Sequence, residues 1–151
     1  MADDTLIRLT ACAAVDLLRT RKVSPLELID AGLARIAAVE PQINAMVTLC
    51  PERARAQARR LMAAPPADDG RWLGGLPFAV KDLNDLAGVR TTYGSPIFAD
   101  NVPTRTDIMV ERLEGNGGIP LGKSNTPEFG AGANTFNPVF GETLNPWNTA
   151  L

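Results

Sequence analysis

Between Leu76 and Gly122 the chain spells a strand, a helix and a second strand, and that order leaves few folds open. Leu76 to Val80 is a short apolar run, Thr106 or Asp107 can cap a following helix, and the glycines at 115, 117 and 118 end it. Ile119 to Gly122 is the second run. Two strands joined by a helical crossover run parallel, whether or not they are neighbours, and this makes the unit part of an α/β sheet. Pro120 lies inside the second run and lacks the N–H that a ladder uses, so regular pairing is not expected there.

Residues 1–70 are mainly helical in pattern. Ala11, Ala14, Leu17 and Leu18 recur at helical spacing, which predicts a helix from Thr10 to Arg21. The next helix has fuller punctuation. Ser24 and Glu27 form an S-x-x-E capping box around Pro25, Val23 and Leu28 stand where a hydrophobic staple would, and Pro41 is expected to end it. Leu26, Ile29, Leu33 and Ile36 make its buried stripe. Ala45 to Leu49 reads as a short strand and Pro51 to Ala63 as a helix with a thin face of Ala54, Ala58 and Leu61. The arginines between 53 and 60 are expected on its solvated face. Ala64 to Gly75, with two prolines and three glycines, is a linker. Residues 71–151 begin an α/β core; Thr126-Pro127-Glu128 can start one helical turn, and the Asn-, Thr- and Pro-rich stretch after it reads as ordered loop.

Composition narrows the chemistry. The 151 residues are 45% hydrophobic and 21% charged with a net charge of −2, values of a soluble globular domain with no basic surplus for nucleic acid or an anionic membrane. There is no histidine, so Ser-His-Asp and Cys-His arrangements cannot form within these residues. Cys12 and Cys50 lack metal-ligand spacing, and no metal or cofactor is expected. The start, MADDTLIRLT, has acids where a secretory signal needs basic residues, and a cytoplasmic location is expected.

Acid–base work therefore falls to lysine or a carboxylate. Lys81 closes the apolar run Gly74-Gly75-Leu76-Pro77-Phe78-Ala79-Val80 and precedes Asp82, a context expected to carry it into an interior or a cleft. Lysines so placed can lose their proton and act as bases. On spacing alone, a half-buried lysine snorkelling beside an acid explains the pattern better than a catalytic one. Phe78-Ala79-Val80-Lys81 is also similar to the V-A-I-K lysine of protein kinases, but no G-x-G-x-x-G, H-R-D or D-F-G accompanies it. Of the three serines, Ser24 is a helix cap, Ser95 sits in a Tyr-Gly-Ser-Pro turn, and Ser124 follows Lys123 with a divergent side chain.

Five segments in register carry a more specific signal. They are Gly74-Gly75-Leu76-Pro77-Phe78-Ala79-Val80-Lys81-Asp82, Thr91-Thr92-Tyr93-Gly94-Ser95, Gly122-Lys123-Ser124-Asn125, Asn145-Pro146-Trp147-Asn148, and the S-P-x-E-L helix from Ser24. Together they closely resemble the amidase signature family. The resemblance implies an α/β/α sandwich with a large mixed sheet, of which residues 1–151 would be the incomplete N-terminal part of a single domain. It also implies hydrolysis of a small-molecule amide by a Ser–cis-Ser–Lys triad through an acyl-enzyme, with Lys81 as the triad lysine. A free lysine titrates near pH 10.4, and a base lysine working near pH 7 needs roughly 4–5 kcal/mol of shielding. The family's GGSSGG segment, which holds both serines, does not occur in these 151 residues, so a chain of this length is expected to be inactive and poorly folded alone. Asn125-Thr126-Pro127-Glu128-Phe129-Gly130 is more similar to stand-alone amidases than to the amidase component of aminoacyl-tRNA amidotransferases, which usually has Met-Asp-Glu-Phe there. That amidotransferase component and a non-catalytic remnant are the alternatives.

Overall fold

The computed structural model of the protein describes residues 5–150; the acids at positions 3 and 4, on which the reading of the N-terminus rests, lie outside that range. Helix α1 (Ala11–Arg19) is capped by Thr10, whose hydroxyl accepts from the Ala13 N–H at 3.2 Å. Helix α2 (Pro25–Ile43) opens with the expected capping box: Ser24 Oγ accepts from Glu27 N at 3.3 Å, and the Glu27 carboxylate accepts from Ser24 N at 2.8 Å. The Ser24 hydroxyl also donates to Glu27 Oε2 at 2.7 Å, and this bond, with the one from Ser24 N, holds the Glu27 carboxyl below its usual value. Contrary to expectation, Pro41 does not end α2. The helix continues to Asn44, whose backbone is left-handed (φ 55°). The missing Pro41 N–H costs one bond in the last turn. Against that loss, the Asn44 amide donates to the carbonyls of Phe140 and Glu142 at 2.8 Å each and ties the helix end to the far end of the chain.

Strand β1 (Met46–Leu49) and helix α3 (Pro51–Ala63) follow where the pattern put them. Strand β2 (Pro77–Lys81), helix α4 (Ile108–Gly115) and strand β3 (Ile119–Ser124) complete the crossover, with β3 two residues longer than the sequence suggests. Asp107 stands at the N-cap of α4 without capping it; its carboxylate accepts from Asn84 Nδ2 and Asp85 N instead, at 3.1 Å each. The sheet order is β1–β3–β2, with β3 antiparallel to β1 and parallel to β2. Glu128–Gly130 forms the expected single turn. The tail is more regular than predicted, because β4 (Phe136–Asn137) and β5 (Gly141–Glu142) pair as a short hairpin around Asn137, whose Oδ1 accepts from Val139 N and Phe140 N.

Pro120 explains the one irregularity in the parallel pair. Register runs Phe78↔Pro120 and then Ala79↔Gly122, so Leu121 is an extra residue on β3. Ile119 and Leu121 pack with Ile29, Ala54 and Ala58 under α2 and α3, while Phe78 and Val80 pack with Val110 of α4 on the opposite face. The result is the layering of helices on both faces of a mixed α/β sheet. The arginine face of α3 is only partly solvated, since Arg53 pairs with Glu114 of α4 at 2.8 Å. Among the described residues no helix is long and apolar enough to cross a membrane.

Candidate active site

The two parallel strands end side by side, and each ends on a lysine or next to one. Lys81 is the last residue of β2 and stands in register with Ser124, while Lys123 stands in register with Val80. Alternation then sorts the side chains. Val80 is buried against α4, so Ala79 and Lys81 take the other face, and both are exposed. This corrects the expectation that Lys81 enters an interior: the apolar run is real, but at Ala79 and Lys81 that face of β2 is exposed.

Lys123 occupies the interior position instead. The extra residue at Leu121 turns Lys123 onto the Val80 face, and its side chain is 0% exposed. Its ammonium donates to the Asn84 carbonyl and to Thr91 Oγ1, both at 2.6 Å, and lies 3.4 Å from Asp82 Oδ1. Asp82 is equally buried. Its Oδ2 accepts from Thr92 Oγ1 at 2.6 Å and Thr92 N at 3.1 Å, whereas Oδ1 faces the ammonium without a hydrogen bond. Burial pushes the Lys123 ammonium below its ordinary value, against the attraction of Asp82 and, further off, Asp85 and Asp107. The sequence carried the signal for Lys123 too. Ile119-Pro120-Leu121-Gly122-Lys123 is an apolar run ending on lysine, like the one before Lys81.

Around these strand ends the backbone is closely knit. Asp82 N donates to Ser124 O at 2.8 Å, Asn84 N to Lys81 O at 2.9 Å, and Tyr93 N to Asp82 O at 3.0 Å. Tyr93 adopts φ 54°, and its hydroxyl donates to Asp85 Oδ1 at 2.6 Å. That bond, with burial and the nearby carboxylates, raises the phenol from about 10 to about 12. Ser95 is fully buried in the turn that follows. Asn125 binds Asn137 Nδ2 through Oδ1 at 2.7 Å and Thr143 Oγ1 through Nδ2 at 3.0 Å, which docks the β4–β5 hairpin against the end of β3.

Chemically, the open face offers one exposed primary amine beside one half-buried hydroxyl, at the carboxyl ends of parallel strands where α/β folds bind ligands. No group of metal-ligating side chains occurs among the described residues. The cleft of about 640 Å³ lies elsewhere, between the ends of α1 and α3 and the linker, lined by Leu18, Leu61, Pro66 and Trp72. No residue of the strand-end cluster reaches it.

A family model described as Amidase matches residues 27–151. The chain is 43% identical over 145 residues to the A component of a glutamyl-tRNA(Gln) amidotransferase from Dehalococcoides mccartyi, covering 96% of this chain and 30% of that protein. It is 39% identical over 150 residues to an acylamidase of Rhodococcus erythropolis, covering 97% and 31%. Among solved structures, a bacterial aryl acylamidase of the amidase signature enzymes superposes with a TM-score of 0.82 at 28% identity, over 93% of this chain and 30% of that one. The chain thus spans about 30% of the length of the curated relatives it matches.

Proposed function

The chain belongs to the amidase family, and on that premise we propose that it supplies the lysine of an amide hydrolase. The observation that carries the reading is the position of Lys81, at the end of a strand parallel to β3, in register with Ser124 and on the face left open. A second polypeptide segment laid on that face would shield the amine from water and set its acceptor in reach. Lys81 then takes a proton, through a bridging serine, from a nucleophilic serine. That serine attacks the amide carbonyl, the proton held by Lys81 passes back to the nitrogen as ammonia or an amine leaves, and water, giving up a proton by the same route, releases the carboxylate from the acyl-enzyme. On this reading neither serine is one of the three in these 151 residues, Ser24, Ser95 and Ser124.

The test uses the chain alone and in a chimera that replaces the matching segment of the Rhodococcus acylamidase. We expect no ammonia release from simple amides by the chain alone, and hydrolysis by the chimera. Lys81→Ala in the chimera lowers kcat by a factor on the order of 10⁴ to 10⁶, the scale seen when a serine hydrolase loses its base. A chimera that keeps its rate without the Lys81 amine would sink the reading.

A second reading is supported by the 43% identity to the amidotransferase component. In it the ammonia released is passed on within an assembly. Amide hydrolysis that rises only when the other proteins of such an assembly are added would favour it over the stand-alone enzyme.

A further inference from the structure

We propose that Lys123 and Asp82 form a buried positioning pair that fixes the backbone on both sides of Lys81. The inference rests on Lys81 being the proton acceptor of the proposed hydrolysis. Lys81 is the first residue of a tight turn closed by Asn84 N donating to Lys81 O at 2.9 Å. The Lys123 ammonium grips the other end of that turn through Asn84 O at 2.6 Å. Asp82, one residue past Lys81, is held from three sides: its amide by Ser124 O, its carbonyl by Tyr93 N, and its carboxylate by Thr92 and the ammonium.

Stability alone does not account for such a pair. A buried ion pair is commonly no better than well-packed apolar residues of similar volume, because desolvation offsets the attraction. What an apolar pair cannot do is meet the Asn84 carbonyl and the Thr91 hydroxyl with one side chain and so lock the loop after β2 to β3. The Lys123 ammonium donates two hydrogen bonds, to residues 84 and 91, and sets its charge 3.4 Å from Asp82 Oδ1. The Thr91 hydroxyl donates its own hydrogen bond to Val89 O at 3.1 Å, which extends the lock along the loop. The Lys81 amine extends from the opposite face, so the pair never touches the reacting groups and acts only through where it holds the Lys81 backbone. A displacement of about 1 Å in a reacting group can cost on the order of 10² in rate.

The experiment measures kcat, KM and the pH profile in the active chimera for Lys123→Met, Lys123→Arg, Asp82→Asn and the double variant Lys123→Met/Asp82→Leu, with Lys81→Ala alongside. The double variant leaves no buried charge unpaired and keeps the test open where a single variant does not fold. We expect the folded double variant to lose 10- to 100-fold in kcat with KM within twofold, and the acid limb of its kcat/KM profile to move. Lys123→Arg should recover part of the rate. A double variant that folds with unchanged kcat and pH profile, while Lys81→Ala is inactive, overturns the positioning role and leaves the base assignment standing. An active Lys81→Ala overturns both, since nothing then remains to be positioned.

Discussion

The ends of β2 and β3 carry the same kind of residue after the same kind of apolar run, yet one lysine is open to solvent and the other has no exposed surface. The difference teaches that hydrophobic context locates a strand but not the direction of its last side chain. Val80 packs under α4, so Lys81 must face away. On β3 the extra residue at Leu121 reverses the alternation, so Lys123 turns inward with Val80. Each lysine then meets a different environment: Lys123 is hydrogen-bonded into the loop after β2, and Lys81 projects from an exposed face.

The largest effect that sharpens the contrast comes from removing the buried ammonium. Lys123→Met leaves buried Asp82 without its cationic partner and should cost about 3–5 kcal/mol in urea denaturation. Adding Asp82→Leu should return most of that loss, which would separate the cost of an orphaned charge from the worth of the pair. Next comes the bulge that sets the two directions. A Cβ on Gly122 would stand 2.3 Å from Thr48 O and 2.9 Å from Leu49 Cα, both backbone atoms of β1. Gly122→Ala should therefore destabilise by about 1–3 kcal/mol and loosen amide protection in β1, read by hydrogen exchange.

Alkaline titration tests the environment of the pair with two opposite signs. Lys123 is depressed below 10.5 in the folded chain, so between its folded value and 10.5 the unfolded chain holds the extra proton and stability rises with pH. Tyr93 is raised from about 10 to about 12, so across that interval the folded chain keeps a proton that the unfolded chain has lost, and stability falls. Lys123→Met should remove the rise and Tyr93→Phe the fall, each measured as melting temperature against pH. The smallest effect belongs to the other strand end. Lys81→Ala removes an exposed side chain and should change stability by less than about 0.5 kcal/mol. A larger loss would mean that Lys81 is packed as Lys123 is, and the contrast would fail.

Much of the scaffold is legible in the sequence, for local reasons. Ser24, Pro25 and Glu27 predict the start of α2 because capping is decided within four residues, and Pro51 to Ala63 matches α3 end to end. The parallel direction of β2 and β3 followed from the crossover, whereas their direct pairing did not. The misread features depend on distant partners. Pro41 sits inside α2 because Asn44 reaches Phe140 and Glu142 across the whole chain. The β4–β5 hairpin forms because Asn137 finds Asn125.

By itself the sequence determined the order of elements from α1 to β3, the capping box of α2, the family and the two lysines at the strand ends. Tertiary structure decided which of those lysines is buried, which carbonyls and hydroxyls its ammonium satisfies, and which face of β2 stays open. The reason is physical. Propensity and capping act over a few residues, whereas burial depends on register, and a one-residue bulge opposite Phe78 and Ala79 is enough to exchange inside for outside.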